Sequence, residues 1–192
     1  METAAVVGAG TVAPNPRVYD VNGTARPLLD FLGPHLTAFI FVRHLGCIFC
    51  REQVKDLRAN AAALAGAGVQ VVIVSPATPQ QSAAFARDFA VPFPVLSDPA
   101  REAYRAFGFF EGTVGQLLNP HIIARSMQAV ARGALPGRRS GNSRQLPGAV
   151  LVDSTGTILH LQVATDAAEH LMAADVLEIA ARVSPRVAAA AR

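Results

Sequence analysis

Apolar and polar positions change period along the chain, and each change marks an element. Leu36–Val42 (LTAFIFV) and Val69–Ser75 (VQVVIVS) are continuous β-prone runs, the pattern of strands buried on both faces. Between them Phe49, Val54, Leu57, Ala61 and Leu64 recur at helical spacing, with Arg51, Glu52, Lys55, Asp56 and Arg58 interleaved. That predicts an amphipathic helix from Cys47, stopped at Gly66-Ala67-Gly68. Thr78–Phe89 reads as a second helix, with Pro79 at a tolerated early position. Pro92 and Pro94 make Val91–Leu96 a short or edge strand, and Asp98-Pro99 opens a helix to about Phe107. A further helix is expected over Asn119–Arg132. Near the end, Gly148–Val152 and Thr157–Val163 flank the hairpin signal Asp153-Ser154-Thr155-Gly156, and Asp166–Val183 reads as a last amphipathic helix. Near the start, Arg17–Val21 and Thr24–Arg26 flank Asn22-Gly23, a tight-turn pair, and Leu28–Leu32 is at most a helical turn.

The order is β-α-β-α, an excursion, then β-β-α. Strand–helix–strand units imply right-handed crossovers and parallel pairing, and the closing hairpin adds an antiparallel edge. The expected class is α/β with a thioredoxin-like connectivity: a central mixed sheet flanked by helices, an N-terminal extension, and an insertion before the closing hairpin. The expected organisation is a flexible arm over 1–16, one domain over 17–183 that includes an Arg-rich insertion at 108–146, and a tail at 184–192. A chain of 192 residues has the length of one domain.

Composition narrows the classes. With 51% apolar residues in short runs the chain is not intrinsically disordered. No unbroken apolar run is longer than Ala38–Val42, far below the roughly 18 residues of a membrane span. The first fifteen residues carry Glu2, Pro14 and no Lys or Arg, which does not read as a secretory signal, so the cytosol is the expected location. A net charge of +3 is too near balance to imply nucleic acid. Its distribution is more telling: Gly112–Val152 has no Asp or Glu, yet it holds Arg125, Arg132, Arg138, Arg139 and Arg144.

The two cysteines, Cys47 and Cys50, form one Cys-x-x-Cys. A loop this short constrains the unfolded chain little, so the pair is a poor staple, and in a reducing compartment it reads as redox or metal chemistry. Placed at a strand–helix junction, a dithiol meets unsatisfied N–H groups and the positive end of the helix dipole, which favour thiolate. Arg43, Arg51 and a protonated His44 push the same way. Two-residue spacing lets one sulfur attack while the other resolves the intermediate. The competing reading is zinc: His44, Cys47 and Cys50 supply three ligands, and a fourth would have to come from His121, His160 or His170. Covalent haem is out, because Arg51 stands where a histidine is required. Gly8-Ala9-Gly10-Thr11-Val12-Ala13 imitates a dinucleotide fingerprint, but Pro14 and Pro16 stop the helix which that motif needs. His35 and His160 read as solvated or hydrogen-bonded side chains.

The segment Phe41-Val-Arg-His-Leu-Gly-Cys47-Ile-Phe-Cys50-Arg-Glu-Gln-Val-Lys-Asp-Leu57 resembles the active segment of the peroxiredoxin-like 2 group, Cys-x-x-Cys relatives within the alkyl hydroperoxide reductase/thiol-specific antioxidant family. Gln145-Leu-Pro-Gly-Ala-Val-Leu-Val-Asp153 and Gly156 are similar to that group too, and the likeness runs from about residue 15 to 183. The resemblance implies a thioredoxin fold and thiol-dependent oxidoreductase or antioxidant activity without a cofactor or metal, with Cys47 and Cys50 as the redox pair. It implies a disulfide, hydroperoxide or endoperoxide as substrate and a thiol donor such as a thioredoxin or a low-molecular-weight thiol. Neither nucleic acid nor membrane is expected as a partner, and a homodimer is compatible with it. The alternative is a zinc-binding or redox-sensing interaction domain without turnover. The chain departs from ordinary peroxiredoxins, whose loop is P-x-x-x-[T/S]-x-x-C. Counted back from Cys47 those places hold Ile40 and His44, and counted from Cys50 they hold Arg43 and Cys47. Fast peroxide reduction is therefore not implied. Exposure at a helix tip favours Cys47 as nucleophile, whereas the peroxiredoxin register would give that place to Cys50.

Two further expectations follow from position. Pro147 stands immediately before a buried strand, where thioredoxin-like folds place a cis-proline facing the dithiol, so the Leu146–Pro147 bond is expected to be cis and a trans bond to count against the fold. The insertion ends at that proline, which brings it near the cysteines. It is expected either to be a solvated loop or to cover the site and contact anionic substrates through Arg138, Arg139 and Arg144.

Overall fold

The long apolar runs become the central strands, and the alternation along each decides which layer a residue joins. The computed structural model describes residues 7–113, 116, 120–133, 135–137, 140, 142 and 144–190, with side chains in the last helix through Val183. The strands are β1 Arg17–Tyr19, β2 Ala25–Pro27, β3 Leu36–Phe41, β4 Val69–Ser75, β5 Val95–Ser97, β6 Gly148–Asp153 and β7 Ile158–Val163. The helices are α1 Ile48–Ala59, α2 Ala61–Gly66, α3 Pro79–Asp88, α4 Glu102–Ala106, α5 Pro120–Ala131 and α6 Ala173–Ala190, with one 3-10 turn at Leu28–Phe31.

One seven-stranded sheet results, in the order β2-β1-β5-β4-β3-β6-β7. β3 pairs parallel with β4 and β4 with β5, whereas β6 runs antiparallel to both β3 and β7. β1 closes the other side, antiparallel to β2 and β5. Leu36, Ala38 and Ile40 face a layer built by Val54 and Leu57 of α1, Phe85 of α3, Ile122 of α5 and Val176 and Ile179 of α6. Phe39 and Phe41 face the opposite layer, with Tyr104, Phe107, Phe109 and Val18. Each fully buried phenylalanine contributes about 1.5–3 kcal/mol of burial free energy. Gly148 pairs with Phe41 in register, and a Cβ there would lie 2.3 Å from the Phe109 ring, which packs 4.8 Å from that of Phe41. Only glycine fits at that strand start.

This is the mixed sheet between helix layers that the sequence predicts; the helix expected from Asp98 starts only at Glu102, where Asp98 accepts from the Glu102 and Ala103 N–H groups, and there are three further local differences. The first concerns Pro147. The Leu146–Pro147 bond is trans, and the fold stands without a cis bond there. The chain before β6 is already extended, because Gln145 bridges Glu111 and the Leu146 N–H donates to the Phe110 carbonyl at 3.1 Å. An extended residue before proline is the ordinary trans geometry.

The second difference is the last helix, which starts at Ala173 rather than Asp166. Residues 166–172 are held as a loop: Asp166 Oδ1 accepts from Ala168 N–H, and Asp56 Oδ2 of α1 accepts from Ala173 N–H at 2.7 Å. The third is the first helix, which is interrupted at Asn60, whose side chain donates to the Asp56 carbonyl at 2.9 Å. Within the expected N-terminal arm, Gly10 and Ala13 donate to the carbonyls of Ile158 and Gly156, so residues 10–13 lie along the β6–β7 hairpin. Gly10 has φ +90° and opens no helix, which leaves the dinucleotide-like motif without its phosphate-binding end.

Candidate active site

The strand-to-helix junction puts the two sulfurs where the sequence predicts. β3 and β4 end side by side, and the buried Tyr104 hydroxyl hydrogen-bonds the Val42 and Val74 carbonyls that finish them. The turn 43–47 then closes with a hydrogen bond from Cys47 N–H to the His44 carbonyl at 3.0 Å. Cys47 is the N-cap of α1 and Cys50 lies in its first turn. Both thiols are free and buried, at 4% and 1% exposure.

Arg43 serves both sulfurs. Its backbone N–H donates to Cys50 Sγ at 3.3 Å, and its Nη1 lies 3.6 Å from Cys47 Sγ. Its Nε donates to the Gln145 carbonyl at 3.1 Å, which fixes the guanidinium against the segment before β6. That carbonyl, two residues before Pro147, is the contribution of this segment to the site. Arg51 does not join: its guanidinium stacks 4.6 Å above the Phe89 ring. His44 is buried and contributes its carbonyl to the turn.

The imidazole that meets the sulfurs is that of His170. Ligand atoms of Cys47, Cys50 and His170 all lie within 4.8 Å of one another. Gln53 Nε2 donates to the Leu171 carbonyl at 2.7 Å, and with Asp56 it pins the loop that carries His170. The sequence names His170 only as one of three histidines at large. No local signal distinguishes it, because its partners lie more than a hundred residues earlier.

The two thiols are pushed in opposite directions. Cys47 is held well below the ordinary thiol range, first by the hydrogen bond from Cys50 and then by the His170 ring, as a close polar neighbour and as a charge, and by the charge of Arg43, which together outweigh desolvation. Cys50 is pushed well above it, chiefly by burial and then by the neighbouring Cys47 sulfur. A thiol held low beside a thiol held high is the ordering that attack and resolution require.

The insertion reaches this loop. Leu45 N–H donates to Ser140 Oγ at 3.0 Å, and Gly137 N–H donates to the Gly46 carbonyl at 3.0 Å. Lys55 and Glu52 of α1 hold its helical part through the Gly133 carbonyl and Arg132. Beside them a cavity of about 540 Å³ is lined by Leu45, Arg51, Phe85, Phe89, Gly137 and Ser140, among others. Arg144 is exposed and lies near Glu111, whose carboxyl is held low first by Arg101. Arg138 and Arg139 lie outside the described residues. His121 is paired with Asp166 at 3.7 Å, and His160 on β7, pushed down by burial and then by Arg182, lines a cavity with Leu171 and Arg182 and is not in the group around the sulfurs. No helix among the described residues is long and apolar enough to cross a membrane.

Comparison with known proteins agrees with this geometry. The family described as AhpC/TSA matches residues 9–161. In two strains of Mycobacterium tuberculosis a protein bearing the name of a peroxiredoxin is 33% identical over 101 residues, which are 53% of this chain and 64% of that relative. Among solved structures, peroxidoxin BcpB of Mycobacterium tuberculosis superposes with a TM-score of 0.66 at 18% identity, covering 93% of this chain and 99% of the other. Reduced Prx3 of Vibrio vulnificus gives 0.69 at 17% identity, covering 92% and 99%. These likenesses show the thioredoxin-like fold of peroxiredoxins.

Proposed function

The chain belongs to the AhpC/TSA family, and on that premise we propose that it is a thiol-dependent oxidoreductase in which Cys47 attacks and Cys50 resolves. The observation that carries this reading is the pairing of Cys47 Sγ, 3.6 Å from the Arg43 guanidinium at a helix N-terminus, with a second buried thiol on the same turn. With a hydroperoxide, the Cys47 thiolate attacks the terminal oxygen and breaks the O–O bond, giving a sulfenic acid and an alkoxide that takes a proton from solvent to leave as the alcohol. Cys50 then displaces hydroxide from that sulfur, its own proton leaving with the hydroxide as water, and a Cys47–Cys50 disulfide forms. With a disulfide substrate the first step is a mixed disulfide, and the second releases the substrate thiol. A thioredoxin or low-molecular-weight thiol returns the pair to dithiol by the same exchange.

Cysteine usage supports a reducing compartment such as the cytosol, since an isolated Cys-x-x-Cys there serves chemistry rather than cross-linking. A homodimer belongs to the same reading and is tested by sedimentation. The chain spans 64% of the length of the curated relatives it matches, so substrate class has to be measured on this chain itself.

The test is trapping. Cys50→Ser, challenged with hydroperoxides and with disulfides, is expected to accumulate a sulfenic acid or mixed disulfide on Cys47, read by mass. Accumulation only in Cys47→Ser reverses the roles, and consumption of neither class by the reduced wild type removes the reading.

A further inference from the structure

The group around the sulfurs contains more than the redox step uses. His170 places both ring nitrogens out of reach of solvent, and neither makes a hydrogen bond of ordinary length. The residue as a whole is half-buried, and ring nitrogens so shielded, with the Cys47 sulfur as a polar neighbour, carry an unmet polar cost that a bound ion or water relieves. The atoms it faces are two sulfurs, all three donors lying within 4.8 Å of one another. In a tetrahedral zinc site with the usual bond lengths, such donors stand roughly 3.5–3.8 Å apart, so a side-chain adjustment closes the set.

The donors are also held rather than loose. Cys47 and Cys50 sit on the first turn of α1, and Gln53 and Asp56 of the same helix fix Leu171 and Ala173 beside the histidine. Two thiolates and an imidazole are the ligand types of thiophilic divalent cations. We propose that the reduced Cys47–Cys50 pair and His170 bind one thiophilic divalent cation of the zinc class, and that metal occupancy and redox turnover exclude each other.

Arg43 does not oppose this on charge. Two thiolates balance a dication, so the guanidinium faces a neutral centre. Binding releases to solvent whatever protons the two thiols still hold. Three protein ligands leave a fourth position for water. Release rests on the oxidoreductase reading and balances with a hydroperoxide as oxidant: two thiolates, one hydroperoxide and two protons give the disulfide, one alcohol, one water and the free cation. The cation thus guards the dithiol from alkylation and overoxidation until an oxidant strong enough to displace it arrives.

The experiment uses the full chain, reduced and stripped with a chelator, then titrated with Co2+ and with Zn2+. Expected are thiolate-to-Co2+ charge-transfer bands and one zinc per chain after gel filtration. Cys50→Ser should lose the bands. His170→Gln should weaken zinc by more than the roughly 10–100-fold that loss of a mere orienting group costs. His121→Gln, a change at an exposed histidine, should bind as the wild type does. Added hydroperoxide should release zinc in step with the loss of two thiols, and circular dichroism of each variant reports whether it is folded.

Retention of no zinc by the reduced wild type, unchanged affinity in a folded His170→Gln, or equal binding by the disulfide form each overturns the proposal. Peroxide consumption by the metal-free wild type reads the oxidoreductase proposal separately. Turnover without zinc binding sinks only the metal site, whereas zinc binding with neither turnover nor oxidant-driven release sinks the activity and the mutual exclusion, leaving the cation site alone.

Discussion

Two segments from distant parts of the chain meet at the dithiol, and they act on it by different means. Among the described residues of 137–145, three reach the loop 43–46 by hydrogen bonds: Ser140 to Leu45, Gly137 to Gly46, and the Gln145 carbonyl to Arg43. Residues 170–173 are themselves pinned by Gln53 and Asp56 of α1, and they deliver an ionisable ring to the sulfurs. The first segment fixes where the loop and its arginine sit. The second alters the charge that the sulfurs feel. Both are subordinate to the pair itself, because the largest influence lowering Cys47 is the hydrogen bond from Cys50.

That ranking gives the largest effect. Cys50→Ala removes the donor, whereas Cys50→Ser keeps one. Alkylation of Cys47 at neutral pH is expected to slow several-fold in Cys50→Ala and to change much less in Cys50→Ser. The sign follows from linkage. Cys47 is depressed, so its rate should level off above the lowered value and fall as pH drops through it; in Cys50→Ala the fall moves up toward the ordinary thiol range. Stability follows the same rule: the Cys47 contribution is present above the ordinary thiol pKa and lost as pH falls through the depressed one. The Cys50 contribution is present below that ordinary value and lost as pH rises through the raised one. The contribution of the dithiol should therefore peak near the ordinary thiol pKa, read as the difference in urea midpoint between the reduced wild type and a variant lacking both cysteines across pH. Equal alkylation profiles in the two Cys50 variants would transfer the dominant role to the flanking segments.

The next effect separates the segments. Gln53→Met fills similar space but frees the Leu171 carbonyl, at a cost of about 1–3 kcal/mol less whatever is regained by removing the unpaired Gln53 Oε1. Because His170 sits next in sequence, Cys47 alkylation at neutral pH should also slow, by less than in Cys50→Ala. A drop in urea midpoint with an unchanged alkylation profile would show that the loop does not need Gln53 to place the imidazole. Ser140→Ala tests the other side. It removes the partner of the buried Leu45 N–H and should cost about 1–3 kcal/mol, while leaving the pH profile of Cys47 in place. A shifted profile would mean that the insertion also sets charge.

The same contrast explains what could be read from the sequence. β3 and β4 are legible because residues buried on both faces leave an unbroken β-prone run, and α1 is legible because one face repeats at helical spacing around Cys50, Val54 and Leu57. The dithiol at their junction follows from those two elements. What escapes is decided by contacts between distant residues. Asp166 looks like a helix start, yet the helix waits for Ala173, whose N–H is taken by Asp56. Pro147 looks like the cis-proline of a thioredoxin, yet the Leu146–Pro147 bond is trans, in a chain already extended by the pairing of Gln145 and Leu146 with Glu111 and Phe110. His170 carries no local mark at all. Arg51 shows the converse: its proximity in sequence to the cysteines suggests a role, and the Phe89 ring takes it elsewhere.

The smallest effect concerns the positive charge of the insertion. Of the three arginines expected to select anionic substrates, Arg144 is exposed and has Glu111 as a neighbour, which lowers the field it can project. Arg138 and Arg139 belong to a stretch of sequence, Gly112–Val152, that holds no Asp or Glu. Screening lengths of about 10 Å at 0.1 M salt and about 30 Å at 0.01 M mean that such charges act on an approaching substrate mainly at low ionic strength. Neutralising Arg138, Arg139 and Arg144 together should therefore lower kcat/KM for an anionic hydroperoxide or disulfide at low salt, by about twofold to tenfold given the steering possible from a few charges. For a neutral substrate kcat/KM should stay unchanged, and the two substrates should converge as salt is raised. Arg144→Gln alone should fall short of the triple change, because Glu111 already offsets it. If anionic and neutral substrates respond alike to the triple change, the insertion acts only through Gly137, Ser140 and Gln145, as a clamp on the loop that carries Cys47.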